Sequence, residues 1–262
     1  MRRLVLVVLS FCFAFSLLAR ADDWSKSYTV TGTPELRIDT TDANIHVDTW
    51  DQKTIEAHVT TSHYKIGEGG IKVYDHQNGD SVEIEVRFPH VSFHFGFNQR
   101  VDVDVHMPRE GRVNLRTGDG EIRLSGLKGI MEVQSSDGGE DISGVDGNLR
   151  AHTGDGHIRA EGRFDQLDLS SGDGRVDARA LAGSKATADW NIRTGDGSVT
   201  LQVPDGFAAD VNLHTGDGHI SLDMPVTVEG SLRHNDVRGK LNGGGSQLTI
   251  HTGDGSIRLE KS

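Results

Sequence analysis

One tetrapeptide, Thr-Gly-Asp-Gly, recurs through this chain and limits what it can fold into. It stands at Thr117–Gly120, Thr153–Gly156, Thr194–Gly197, Thr215–Gly218 and Thr252–Gly255, with a Ser form at Ser171–Gly174. Looser copies are Ser135–Gly138 and, near the start, Thr40-Thr41-Asp42-Ala43. Apolar residues alternate on both sides of each copy: Val113 and Leu115 before Thr117, then Ile122 and Leu124 after Gly120. Leu36 and Ile38, with Ile45 and Val47, frame the first copy in the same way. Period-two alternation around a Gly-rich turn means strand, tight turn, strand, each strand with one buried face. The glycines are expected to supply positive φ, which a side chain resists.

The motif Asp residues fall at 119, 137, 155, 173, 196, 217 and 254, in steps of 18, 18, 18, 23, 21 and 37. A period near twenty marks a repeat architecture in which each unit completes its core against its neighbour. The fold class is therefore all-β, a β-solenoid of roughly 18–23-residue repeats. An antiparallel β-sandwich of repeated hairpins is the alternative, since Thr117 can face Ile122 across an Asp-Gly turn. The near-identity of the corners favours stacking. Composition agrees: 35% hydrophobic residues and 33 glycines suit a thin stack better than a broad globule. Arg179–Asp189, rich in Ala, is the best helix candidate.

Residues 1–21 read as a signal peptide: Arg2 and Arg3, an apolar run Leu4–Leu18, then Ala19-Arg20-Ala21 as a cleavage site. Cys12, the only cysteine, lies inside it, so the mature chain is expected to lack disulfides and thiol chemistry. Loss of Arg2, Arg3 and Arg20 takes the formal charge from −12 to −15. Such an acidic chain is a poor partner for nucleic acid, and no second apolar span follows the signal. Residues 22–107 are expected to form an N-terminal strand region or cap. Residues 108–262 then form the repeat solenoid, continuous with it. The location expected is periplasmic or extracellular.

The chain resembles the bacterial putative-adhesin family of β-strand-repeat envelope proteins. The resemblance covers nearly the whole mature chain. It rests on Gly32–Ile38 with Ile45–Asp51, on Val101–Pro108 (Val-Asp-Val-Asp-Val-His-Met-Pro), on Leu201–Gly206, and on Leu241–Gly245 leading into Thr252–Leu259. It implies a right-handed, β-helix-like fold and an envelope or secreted location. It supplies no catalytic residues.

Four chemistries are weighed on the residues. Stacked corners would line up Asp119, Asp137, Asp155 and Asp173 about 4.8 Å apart, a candidate calcium ladder. The nine-residue Gly-Asp period of calcium β-rolls is absent, and the competing reading is that each Asp accepts N–H groups of its own turn, its charge relieved by Arg116, Arg123, Arg159, Arg175 and Arg193. Histidines at 90/94, 152/157 and 214/219 lack metal spacing and are expected to be solvated. A polysaccharide-active β-helix enzyme would need a groove of long loops with converging carboxylates, and the corners are short, so an enzyme is not expected. Phe93, Phe95 and Phe97 share one face of an extended segment, either core or a partner contact. The function expected is that of an exported, non-enzymatic binding module for a glycan or envelope protein. Outward Arg123, His157, Arg159, Arg175, His219 and Arg258 would contact the ligand, and coil ends are open to self-association.

Overall fold

The structure, a computed structural model, describes residues 23–62, 65–89, 100–228 and 233–262. The expected signal peptide and the Phe93, Phe95, Phe97 row lie outside these residues. In chain order, β1 (Asp23–Thr29), β2 (Glu35–Thr40), β3 (Asn44–Trp50), β4 (Thr54–Ser62), β5 (Lys72–Asn78), β6 (Ser81–Arg87) and β7 (Arg100–Pro108) come first. The regular repeats follow as β8 (Glu110–Arg116), β9 (Ile122–Ser125), β10 (Lys128–Gln134), β11 (Glu140–Thr153), β12 (Ile158–Ser171) and β13 (Val176–Ala180). The remainder is β14 (Trp190–Thr194), β15 (Val199–Val203), β16 (Ala209–Thr215), β17 (Ile220–Leu222), β18 (Thr227–Val228), β19 (Asp236–Leu241), β20 (Gln247–Thr252) and β21 (Ile257–Lys261). Among the described residues there is no helix, and residues 181–189 are turn and bend. Five extra residues there lengthen one repeat and let Trp190 enter the core against Phe164 and Phe207, at ring distances of 6.3 and 4.8 Å.

Strands flanking a corner pair not with each other but with the equivalent strands of other copies. β8 pairs in parallel with β10 and β2, whereas β9 pairs in parallel with β11 and β3. The hairpin alternative is thereby excluded. Two walls result. The wall before the corner runs β5, β6, β2, β8, β10, the second halves of β11 and β12, β14, β20, β16, β19 and β18. The wall after it runs β1, β4, β7, β3, β9, the first halves of β11 and β12, β13, β15, β21 and β17.

The two ends are interleaved. The β2/β3 coil lies between the β6/β7 and β8/β9 coils, although β6 and β7 come later in the chain than β3. Likewise β20/β21, last in sequence, slots between β14/β15 and β16/β17. Antiparallel β1, β4, β5, β19 and β18 finish the edges, and a Lys26–Asp75 ion pair ties β1 to β5. Short or side-chain-tied edges resist the addition of further strands.

The core is built of columns. Val103, Ile45, Ile122, Glu140, Ile158, Val176, Val199, Ile257 and Ile220 succeed one another in register just past the corner. A second column is made of hydroxyls: Thr40, Thr117, Ser135, Thr153, Ser171, Thr194, Thr252 and Thr215, all buried. Each hydroxyl after Thr40, Ser135 excepted, donates to the carbonyl of the preceding coil's last corner residue. Thr117 bonds Ala43 O at 2.8 Å, Thr153 bonds Gly138 O at 3.0 Å and Ser171 bonds Gly156 O at 2.9 Å. The series continues with Thr194 on Gly174 O, Thr252 on Gly197 O and Thr215 on Gly255 O, at 2.8, 2.7 and 2.6 Å.

The last glycine of each corner does not have positive φ, contrary to the expectation from sequence. It is required by close approach. A Cβ on Gly120, Gly138, Gly156, Gly174, Gly197, Gly255 or Gly218 would lie 1.8–2.0 Å from the carbonyl oxygen of the corner before it. The first corner of the column carries Ala43 in this place. The first glycine is crowded to a smaller degree, a Cβ on Gly118, Gly154 or Gly172 lying 2.3–2.5 Å from a carbonyl oxygen, and Thr41 and Ser136 stand in that place. Gly156→Ala is therefore expected to destabilise by on the order of 3 kcal/mol, or to prevent folding, through overpacking against an immobile backbone. Gly154→Ser, whose Cβ would meet Ser136 O at 2.5 Å, should cost less, and paired denaturant titrations measure the difference.

Glu140 is the one acid in the apolar column and is fully buried. Its Oε1 accepts from Ser135 Oγ at 3.2 Å, while Oε2 has no partner. Burial pushes its pKa from 4.5 up to about 8, against the smaller opposing pull of the Ser135 bonds. The folded state therefore holds a proton that the unfolded state releases, and stability falls as pH rises between those two values. The slope is at most about 1.4 kcal/mol per pH unit. Glu140→Ile, which matches its column neighbours, should raise the melting temperature above pH ~6 and flatten its pH dependence. Melts at acidic, neutral and mildly alkaline pH provide the check.

Candidate functional site

Outward positions of the second wall form rows set by the strand register. One row reads Ser25, His58, Asp104, His46, Arg123, Asp141, Arg159, Asp177, Thr200, Arg258 and Ser221. Its charges are largely met within the wall. His46 Nδ1 lies 2.9 Å from Asp104 Oδ1, Arg159 pairs with Asp141 at 3.6 Å, and Arg123 takes Glu121 at 2.8 Å. Arg175 meets Asp177 at 3.2 Å and Arg258 meets Glu260 at 3.4 Å. His46–Asp104 and Arg159–Asp141 cross between strands, whereas the other three join residues two apart in sequence, and pairs of either kind are individually weak at exposed sites.

At the N-terminal end this wall dips into a groove of about 610 Å³. Its floor and sides come from β1, β4 and β7: Lys26, Glu56, His58, Asp104 and His106 supply the polar groups. Trp50 stacks on His106 at 5.2 Å and fixes that imidazole at the rim. Asp104 is shared with a second hollow of about 310 Å³, lined by His46, Asp48, Arg123, Ser125, Asp141 and Ser143. Asp104 joins the two, and on the side of the smaller hollow His46 turns one ring nitrogen to it while Nε2 is buried without a partner. Together they form a polar trough across β4, β7, β3, β9 and β11, perpendicular to the strands.

The outward residues singled out from sequence all fall on or beside this wall. Arg123, Arg159 and Arg258 share the central row, whereas His157, Arg175 and His219 sit immediately after their corners. The structure adds His46, His58, Asp104 and His106. Their signal was present as outward polar positions in Ile45-His-Val-Asp and in Val101-Asp-Val-Asp-Val-His. What the sequence lacked was the pairing of β3 with β7, between which β4, β5 and β6 intervene in the chain.

The corner acids behave otherwise than expected. Asp119, Asp137, Asp155 and Asp173 are exposed on one edge, yet none accepts an N–H of its own turn. The hydroxyl column takes that role: Gly156, Gly174, Gly218 and Gly255 donate their N–H to Thr153, Ser171, Thr215 and Thr252 at 3.1, 2.9, 3.0 and 3.2 Å. Three of the five arginines expected to relieve these acids are engaged elsewhere, Arg123, Arg159 and Arg175 pairing with Glu121, Asp141 and Asp177. Asp42, at the first corner, has its pKa raised by partial burial and then by the neighbouring Asp119. Among the described residues no three His, Cys, Asp or Glu side chains converge as a metal site. A calcium ion takes six to eight oxygens from several directions, and a single file of carboxylates does not provide them. Melting curves in millimolar calcium and in chelator are expected to coincide, and a clear upward shift with calcium would restore the ladder.

Two walls of parallel strands joined by stacked glycine corners, with an acidic edge and a polar trough, define an all-β repeat protein. Residues 98–260 match the Toastrack DUF4097 family, and the chain belongs to that family, in agreement with the resemblance read from its motifs. Among solved structures it is similar to a putative cell adhesion protein from Clostridium sporogenes, at 15% identity and a TM-score of 0.46, covering 93% of this chain and 100% of that one. A putative adhesin from Bacteroides fragilis has 12% identity and a TM-score of 0.41, with 91% and 97% covered. A putative lipid binding protein from Parabacteroides distasonis has 13% identity and a TM-score of 0.41, with 91% and 96% covered. No curated protein matches the chain.

Proposed function

We propose that this protein is an exported, non-enzymatic binding module of the cell envelope or extracellular space, in which the second wall holds an extended ligand. The observation that carries this reading is the polar trough shared by His58, Asp104, His46 and Arg123 on a wall whose strands are locked in register. A groove that crosses several strands suits a chain-like ligand, such as a polysaccharide or a peptide strand, contacted at repeated intervals. Imidazole and carboxylate groups along its length offer donors and acceptors to hydroxyls, and the stacked Trp50 and His106 offer a face to a sugar ring.

Export is part of the same reading and rests on the signal-like residues 1–21. So does a right-handed winding of the coils, the hand that parallel crossovers adopt. An enzymatic role is disfavoured because the groove is open and its carboxylates, Glu56 and Asp104, are set among paired side chains rather than facing each other across a cleft.

Incubation of the mature protein with isolated envelope and extracellular glycans tests this reading, scoring retention and released sugar together. Retention without release is expected, and His58→Ala with His106→Ala should weaken it by about tenfold, a loss of some 1.4 kcal/mol. Release of oligosaccharide would replace the binding module with an enzyme. Retention that survives the double substitution would move the contact away from the trough.

A further inference from the structure

Every corner of the stack except the first carries Asp followed by Gly, with the Asp exposed. Asp-Gly is the dipeptide in which an aspartyl side chain is most readily attacked by the next backbone nitrogen, because glycine offers no side chain to hinder ring closure. The attacking atom is the glycine N. In four corners that N–H is held by the column hydroxyl, on Thr153, Ser171, Thr215 and Thr252. A nitrogen bound in this way must break its hydrogen bond before it can turn on the carboxyl.

The corner at Asp137 is different. Ser135 turns its hydroxyl to the carbonyl of its own corner, Gly138 O at 2.7 Å, and lies 3.2 Å from Glu140 Oε1, and in that position it makes no bond to the Gly138 N–H. The diversion has an identifiable cause. Glu140 occupies the column place held by Ile122 and Ile158 in the adjacent coils, and its buried carboxyl needs a partner that Ser135 alone supplies. Gly120 and Gly197 also make no bond to a column hydroxyl, but Thr117 and Thr194 keep theirs in the regular place, 2.8 Å from Ala43 O and Gly174 O.

We propose that Asp137–Gly138 is a site of spontaneous succinimide formation and aspartate isomerisation, and that the column hydroxyls shield the equivalent peptide in the guarded corners. The step is balanced without a co-reactant other than water. Gly138 N attacks Asp137 Cγ and loses its proton, and a carboxyl oxygen leaves as water to close the five-membered ring. Hydrolysis at one ring carbonyl restores Asp137. Hydrolysis at the other gives isoaspartate, with the backbone rerouted through Cβ and Cγ. That adds one atom to a corner in which the Ser136 and Asp137 N–H groups both bond Gly118 O, at 2.9 and 3.2 Å, and Ser136 O receives Gly154 and Asp155. Isomerisation at this point would loosen contacts to the coils on both sides.

The test ages the mature protein for days at neutral pH and maps isoaspartate by peptide mass spectrometry with an isoaspartate-specific methyltransferase. Asp137 is expected to accumulate it about fivefold faster than Asp155 or Asp173, the factor that one ordinary hydrogen bond commands. Glu140→Ile should release Ser135 to its column place and bring Asp137 down to the rate of its neighbours. Thr153→Val, which keeps the side-chain shape, should raise the rate at Asp155. If that variant does not fold, Ser171→Ala gives the same reading at Asp173. Equal rates at all corners, no isoaspartate at Asp137, or a rate at Asp155 unmoved by loss of its hydroxyl would each overturn the proposal.

Discussion

The contact on which everything else in this molecule rests is that of a glycine Cα against the carbonyl oxygen of the coil before it. It leaves no space for a single carbon atom, and it is repeated down one edge of the stack. Because the corners touch backbone to backbone, successive coils keep one register, and each wall inherits that register along its length. The column hydroxyls fasten the same joint from inside, bonding across coils in six of the eight corners. The column reaches its limit at Thr40, whose buried hydroxyl has no hydrogen-bond partner. Hydrogen bonds and steric contact thus select the same residues, which is how a short motif comes to specify a whole architecture.

The repeat spacing and the alternation around each corner were enough to read the strands, the buried faces and the all-β class from sequence. Much that was missed lies outside the repeats. The interleaving of the ends depends on pairings between β2 and β6 or between β14 and β20, and no local pattern announces which coil will slot between two others. Within the corners the residue types were legible, but their roles were not. Glycine was expected to supply an unusual φ and instead supplies absence of volume. Aspartate was expected to satisfy the turn, and threonine does so. Both errors have one source: a turn considered alone lacks the neighbouring coil, and here the neighbour sets the requirement.

The trough shows the same division. Its polar residues are visible in sequence as outward positions of alternating strands, yet His46 and Asp104 meet only because β3 and β7 pair across fifty residues of intervening chain. The wall they share is charged but internally matched. A ligand must therefore compete with existing ion pairs, or lie along the trough where His58 and His106 remain. Specificity from shape and hydrogen bonding, rather than from net charge, is what such a surface favours.

The interleaved ends bear on how a chain of this kind gains or loses length. In a simple solenoid a copy can be added at either terminus, since the last coil merely covers the one before. Here the final coil is already enclosed between two others, and the first is enclosed in the same way at the opposite end. A duplicated unit appended to β21 would emerge from the interior with nowhere to stack. Growth is open only in the middle, between β8 and β13, where each coil follows its predecessor in sequence and in space. The shortest and most regular periods of the sequence lie there, at successive steps of eighteen residues.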